Sequence, residues 1–185
     1  MSNFKADTAH TQIGFAVKHM MVSTVRGKFQ DFTAEVEIDE AHPTDARIDV
    51  VIQAASVTTG VEARDNHLRS ADFFEVEKFP TITFKSTSIA SEGGSEYAIT
   101  GDLTIHGVTK PVTLRGTVDG PFKDPYGLQR AGVELSGELN RGEFGLQYNG
   151  ALEAGGVVVS DRVRLLIDGE FTKVVEETAA PAAQA

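Results

Sequence analysis

Residues Gly27–Ile38 read GKFQDFTAEVEI, and from Phe32 onward every second residue is apolar: Phe32, Ala34, Val36 and Ile38, with Glu35 and Glu37 between them. A period of two marks a half-buried β-strand, because successive side chains of an extended backbone point to opposite faces. Taken as one strand, Gly27–Ile38 spans about 40 Å at the usual rise per residue. A strand of that length twists strongly, which favours a sheet closed on itself over two sheets packed face to face. The stretch therefore predicts a barrel.

The same pattern recurs on both sides. Ile13, Phe15 and Val17 precede it, and Ile48, Val50, Ile52 and Ala54 follow. Further runs are Ile82 and Phe84; Ile99, Leu103 and Ile105; Val112, Leu114 and Val118; Val133, Leu135 and Leu139; and Val163, Leu165 and Ile167, continuing to Gly169 and Phe171. Loops such as AHPTD, SEGGSE and DGPFKDPYG separate them with turn-forming residues. The chain thus reads as all-β with about eight strands, the number at which a barrel is either just filled by side chains or holds one small ligand. Gly101, Gly116, Gly137 and Gly169 either permit bends or leave space inside. The inward candidates are Phe15, Val17, Phe32, Val36, Ile52, Phe84, Leu103, Leu114, Leu135 and Ile167.

The 185 residues suit one domain, expected over 1–174, with 175–185 as a disordered tail whose EETAAPAAQA lacks the apolar content to pack. There is no cysteine, so disulfides and thiolate metal sites are excluded. No apolar run approaches the roughly 20 residues of a membrane helix. MSNFKADTAHTQIGF carries no apolar signal core, so a cytoplasmic protein without stable membrane insertion is expected. The net charge of −10 argues against a nucleic-acid partner and against anionic membrane surfaces.

One segment departs from the strand pattern: ARDNHLRSADFF, residues 63–74. Thr59 and Glu62 stand at capping-box spacing, which predicts a short helix between the third and fourth strands. On a barrel such a connection crosses one end. We expect it to act as a cover, with Leu68, Phe73 and Phe74 turned to the mouth. The five histidines, at 10, 19, 42, 67 and 106, show no metal-binding spacing. Asp65 and His67 could pair as acid and base, but no nucleophile motif accompanies them. His19, Arg64 and His67 are the polar candidates an enzyme would gather at the mouth. No catalytic residue, metal or cofactor is assigned. Arg64 and Arg69 read as surface ion pairs with Asp65, Asp72 or Glu75, and His106 as a residue that sits at a strand end or satisfies a local hydrogen bond.

Four blocks in order, IGFAVKHMMVSTVRGKF (13–29), RDNHLRSADFFEVEKFPTITF (64–84), GDLTIHGVTKPVTL (101–114) and NRGEFGL (140–146), resemble the YceI-like, polyisoprenoid-binding family over Asp7–Phe171. The resemblance implies an eight-stranded antiparallel, lipocalin-like barrel whose lumen holds a long isoprenoid, a quinone or polyprenyl compound. It implies binding, storage or transport rather than catalysis. An isoprenoid-modifying enzyme and a ligand-free structural or stress protein are the alternatives. The expected ligand-binding set is the inward residues above together with His19, Leu68, Phe73 and Phe74. A neutral head group is expected unless Lys18, Arg64 and Arg69 converge. Whether the chain pairs as a homodimer is left open.

Overall fold

Gly27–Ile38 is two strands rather than one. In the computed structural model, which describes residues 1–153 and 155–175, β3 (Ser23–Phe29) stops and β4 (Phe32–Ile38) starts across a break at Gln30 and Asp31. The backbone N–H groups freed there are not lost. Gln30 and Asp31 both donate to Ser56 Oγ, at 3.1 and 3.0 Å. Ser56 lies in a similar break, a 3-10 turn at Ala54–Ser56 between β5 (Arg47–Gln53) and β6 (Val57–Thr58). A third break separates β1 (Ser2–Ala6) from β2 (Gln12–His19). There Thr11 Oγ1 donates to the Glu170 carbonyl and accepts from the Glu170 N–H, each at 3.1 Å. Apolar alternation runs straight across these breaks, so the pattern shows continuous strands where the backbone is creased.

The remaining strands are β7 (Thr81–Gly93), β8 (Glu96–Ile105), β9 (Val108–Lys123), β10 (Gln129–Asn140) and β11 (Val159–Lys173). All pairings are antiparallel, in the order β1-β4-β5-β7-β8-β9-β10-β11, and β1 pairs back onto β11 with Ala6 opposite Phe171. The ring is a closed eight-stranded antiparallel barrel with one short helix, α1 (Glu62–Arg69). The segments β2, β3 and β6 continue β1, β4 and β5 upward past the creases, and β2 pairs with β11 above β1. No helix among the described residues is long and apolar enough to cross a membrane. Of the expected tail 175–185, all but Val175 lies outside the described residues.

Paired residues share a face, so the inward rows follow from register: Val17 faces Val25, Phe15 faces Gly27 and Ile13 faces Phe29. Gly27 is needed for its smallness. A Cβ there would lie 2.3 Å from the Phe15 ring, and one on Gly101 would lie 2.4 Å from the Phe84 ring. Each glycine thus gives an aromatic ring a place to lie flat against the wall. The core runs through Ile52, Ile82, Ile99, Leu103, Ile105, Val112, Leu114 and Leu135, with Val57 and Phe144 fully enclosed at the upper end.

Candidate functional site

The barrel is not filled. A cavity of about 430 Å³ extends from Ile38, Glu40 and Pro43 at the lower end to Phe73, Phe74, Arg141 and Leu146 at the upper end. Of the side chains lining it, only those of Thr11, Glu40, Tyr97 and Arg141 are polar. Three of these already have protein partners. Thr11 is bound to the Glu170 backbone. Glu40 accepts from Lys173 Nζ at 2.6 Å and Ser2 Oγ at 2.8 Å, and these two bonds, Lys173 first, hold its carboxyl below the usual range. Arg141 is described below. The space is therefore an apolar tube, suited to a ligand that brings little hydrogen-bonding demand of its own.

Twelve of the expected ligand-binding residues line this cavity: Phe15, Val17, Val36, Ile52, Leu68, Phe73, Phe74, Phe84, Leu103, Leu114, Leu135 and Ile167. Two do not. Phe32 is buried, but it packs into the core beside the β3–β4 crease, opposite Ile52, instead of facing the space. His19 has inward parity, but it ends β2 at the rim, paired with Ser23 and Val159, and of that pair Val159 lines the cavity while His19 does not.

The upper end is covered in two parts. The first is the charged segment, and the structure gives its charges anchoring roles. The predicted Thr59–Glu62 capping box is not made; α1 begins after Val61 with no side-chain cap. Thr59 serves Asp65 instead, donating to it through Oγ1 at 2.5 Å and N–H at 2.7 Å, and Thr58 Oγ1 adds a third bond at 3.0 Å. Burial pushes the Asp65 carboxyl up, but the bonds from Thr59 and Thr58, with Arg69 nearby, outweigh it and hold the pKa below its ordinary value. Arg69 donates to the carbonyls of Ala55 and Val57 at 2.7 and 2.8 Å, and Arg64 Nε to Thr59 Oγ1 at 2.7 Å. These contacts tie α1 to the β5–β6 crease. The expected surface ion pairs of Arg64 and Arg69 are replaced by bonds to neutral oxygens.

Asp65 and His67 do not pair. His67 Nε2 meets Asp72 at 2.7 Å, and its ring stands edge-on to Phe73 and Tyr148, with centroids at 5.1 and 4.8 Å. Phe73 and Tyr148 also touch, at 5.1 Å. Phe74 turns inward onto Phe29 at 5.8 Å. None of His19, Arg64 and His67 lines the cavity. His106, at the strand end as expected, meets Glu75 at 3.2 Å and packs on Phe79 at 4.4 Å, fixing the base of the cover.

The second part of the cover is the connection from β10 to β11, which brings Tyr148. It is held by Arg141, only 4 % exposed. The guanidinium donates to the carbonyls of Leu146 and Tyr148 through Nη1 at 2.7 and 2.8 Å, and to Ser160 through Nε at 3.0 Å. Burial lowers its pKa, and Asp161, at 3.4 Å, opposes that shift. Sequence reasoning gave Arg141 and Tyr148 no role. The signal available was NRGEFGL, where an arginine sits among turn and apolar residues; Asn140 caps the 3-10 turn Arg141–Phe144 by accepting from Gly142 N–H.

Comparison with known proteins gives a consistent result. A family model described as "YceI-like domain" matches residues 4–171. A UPF0312 protein of Staphylococcus aureus is 39% identical over 173 residues, covering 93% of this chain and 98% of that one. The crystal structure of a Campylobacter jejuni YCEI protein superposes with a TM-score of 0.74 at 33% identity, covering 91% and 96% of the two chains. A polyisoprenoid binding domain from Saccharophagus degradans, implicated in plant cell wall breakdown, shares the fold at 16% identity with a TM-score of 0.66, covering 91% and 97%.

Proposed function

The chain belongs to the YceI-like domain family, and we propose that it binds a long-chain isoprenoid lipid in its barrel cavity, for storage or transport. The observation that carries this reading is the apolar cavity of about 430 Å³ inside the closed barrel, beneath a two-part cover. The fold it shares with a polyisoprenoid binding domain supports the ligand class.

The cavity size sets how much lipid is sheltered. An apolar cavity of about 150 Å³ accepts one benzene ring, roughly six carbons, so 430 Å³ accommodates about 18 carbons, between three and four isoprene units. At about 0.8 kcal/mol per methylene, that burial gains on the order of 14 kcal/mol from water, below the practical ceiling near 20 kcal/mol. Against a bilayer, where the tail is already dry, the net transfer is near zero, as a carrier requires. A longer tail protrudes or displaces lining side chains.

The head group is neutral in this reading. Arg64 and Arg69 are directed to protein oxygens, Lys18 lies on the outward row of β2, and Arg141 is already satisfied by carbonyls. A quinone meets no penalty here, whereas a diphosphate finds the Glu40 carboxylate at one end and, among the described residues, no available cation along the lining. The test is organic extraction of the purified protein with mass spectrometry, alongside titration with a fluorescent isoprenoid analogue. The expected result is a neutral isoprenoid or fatty substitute near one per chain. A protein that yields no lipid and takes up no analogue would refute the reading.

A further inference from the structure

The tip of the β2–β3 hairpin is built against local preference. Val22 N–H closes a turn onto the His19 carbonyl at 3.1 Å, and both central residues, Met20 and Met21, have positive φ, 51° and 62°. Asn-Gly is the favoured pair for such a turn, and left-handed methionines carry a conformational cost. The cost is not offset by burial, since Met20, Met21 and Val22 are 46, 64 and 84 % exposed. Val157, also exposed, lies in the adjacent β10–β11 connection, where Met20 N–H bonds to the Val158 carbonyl at 2.8 Å. The upper rim thus carries an apolar cap of strained residues, and strain held at an exposed position points to a use outside the fold.

The wall below the cap is electrostatically unlike the rest of the barrel. On β1, β4, β5 and β7 the outward cations face carboxylates: Lys5 meets Glu35, Arg47 meets Glu37, and Lys85 meets Asp49. On β2, β3 and β11 the outward rows bring Lys18, Arg26, Lys28 and Arg164 together, with Ala16 paired to both Arg26 and Arg164. All four are exposed, and none has a carboxylate within 4.0 Å among the described residues. Arg162 beside them is ion-paired with Glu138, which also stands opposite Arg164 in the β10–β11 register, and Asp168 lies lower on β11. A chain of net charge −10 therefore carries a local cationic face, next to an apolar cap, on the rim where Val159 lines the cavity.

We propose that this rim docks reversibly on an anionic lipid bilayer, Met20, Met21 and Val22 entering the interface and Lys18, Arg26, Lys28 and Arg164 meeting the head groups. Both features match that occupant: exposed apolar side chains for the acyl boundary and unpaired cations for the phosphates. The proposal rests on the isoprenoid reading only for its purpose, which is exchange of a ligand with the membrane. The sequence expectation that net acidity keeps the chain off anionic membranes is replaced here by a local asymmetry that the total charge hides.

The test is co-sedimentation of the full chain with vesicles of phosphatidylglycerol and phosphatidylcholine, against phosphatidylcholine alone, at low and high salt. Each cation near an anionic surface contributes about five-fold, so Lys18→Gln, Arg26→Gln and Arg164→Gln together should weaken binding on the order of 100-fold. Met20→Asn with Met21→Gly should weaken it at least ten-fold while leaving the fold as stable or more so, because it installs the preferred turn pair. Both variants should still bind the isoprenoid analogue without vesicles. Vesicle binding by a chain that takes up no analogue would sustain the docking face and remove only the isoprenoid reading. Equal recovery on both vesicle types, no recovery at low salt, or unchanged binding by either variant would overturn the proposal. So would a change in oligomeric state in sedimentation velocity with vesicle binding unaltered, which would assign the face to a second copy of the chain.

Discussion

Phe73, His67 and Tyr148 join the two parts of the cover, and removing one ring should release the ligand faster without unfolding the barrel. Three mutual contacts are made, at 5.1, 4.8 and 5.1 Å, and an aromatic pair contributes about 0.5–1.5 kcal/mol beyond its buried area. Only the His67–Tyr148 and Phe73–Tyr148 contacts cross between the two parts, so Tyr148→Ala breaks both and Phe73→Ala breaks one, the Phe73–Tyr148 contact being common to the two variants. Tyr148→Ala should ease opening by about 1–3 kcal/mol, a rise in escape rate of roughly 5- to 150-fold, and Phe73→Ala by about 0.5–1.5 kcal/mol, roughly 2- to 12-fold. Because one contact is shared, the double variant should fall short of the product of the singles by about five-fold, a coupling near 1 kcal/mol. The assay is escape of a fluorescent isoprenoid analogue into acceptor vesicles, with thermal unfolding alongside. At this chain length 1 kcal/mol moves Tm by about 2–4 °C, so losses should stay near or below 10 °C. Rates that multiply exactly as the singles predict would show that the rings do not act as a latch. Global unfolding on Phe73→Ala would show that the ring is core and the cover reading wrong.

Arg141→Met leaves the Leu146, Tyr148 and Ser160 carbonyls without their donor; a loss of about 3–5 kcal/mol is expected, seen as a Tm drop of about 6–20 °C and early proteolysis between β10 and β11. For Asp65 the folded pKa is depressed, so its stabilising contribution is present above the unfolded value near pH 4 and lost as pH falls through the folded value. Asp65→Asn should lower Tm at neutral pH and remove part of the acid-induced loss seen in the wild type by calorimetry from pH 7 to pH 3. Gly27→Val should drive the Phe15 ring off the wall into the cavity, reducing ligand per chain in extraction while β2 and β3 remain paired.

The strands were legible because one buried face imposes a period of two, and the predicted runs fall on observed strands except at Ala54, which lies in a 3-10 turn, and at Gln30–Asp31, where the long run is broken. The creases were not, because alternation continues across Gln30–Asp31 and the freed backbone groups are satisfied by Ser56, a hydroxyl remote in sequence. Phe32 shows the resulting error: parity says inward, but the crease decides which inward residues reach open space. The cover was legible from its apolar residues, Leu68, Phe73 and Phe74, which line the cavity. Its polar anchors were not legible, because nothing local in the sequence shows that Asp65 gathers the donors of Thr58 and Thr59 or that Arg141 collects the carbonyls of Leu146, Tyr148 and Ser160. No periodicity marks Tyr148, whose position follows from the arginine beneath it.

The lower crease in the first strand divides the closure of the barrel into two clasps of unequal strength. β2 meets β11 at seven register positions, but β1 meets it at three, Phe4, Lys5 and Ala6. Flanking bonds from Asp7 N–H to the Glu170 carbonyl and from Val174 N–H to the Asn3 carbonyl extend the shorter clasp, and because the chain is interrupted between the two, β1 is expected to open from β11 before β2 does. Local opening of this kind has its own free energy, well below that of global unfolding, and shows as amide protons of β1 exchanging ahead of those in the central strands. The short clasp lies at the end of the tube where Glu40 and Pro43 stand. Breathing there would let a tail longer than the resting cavity thread through without disturbing the latch at the opposite rim.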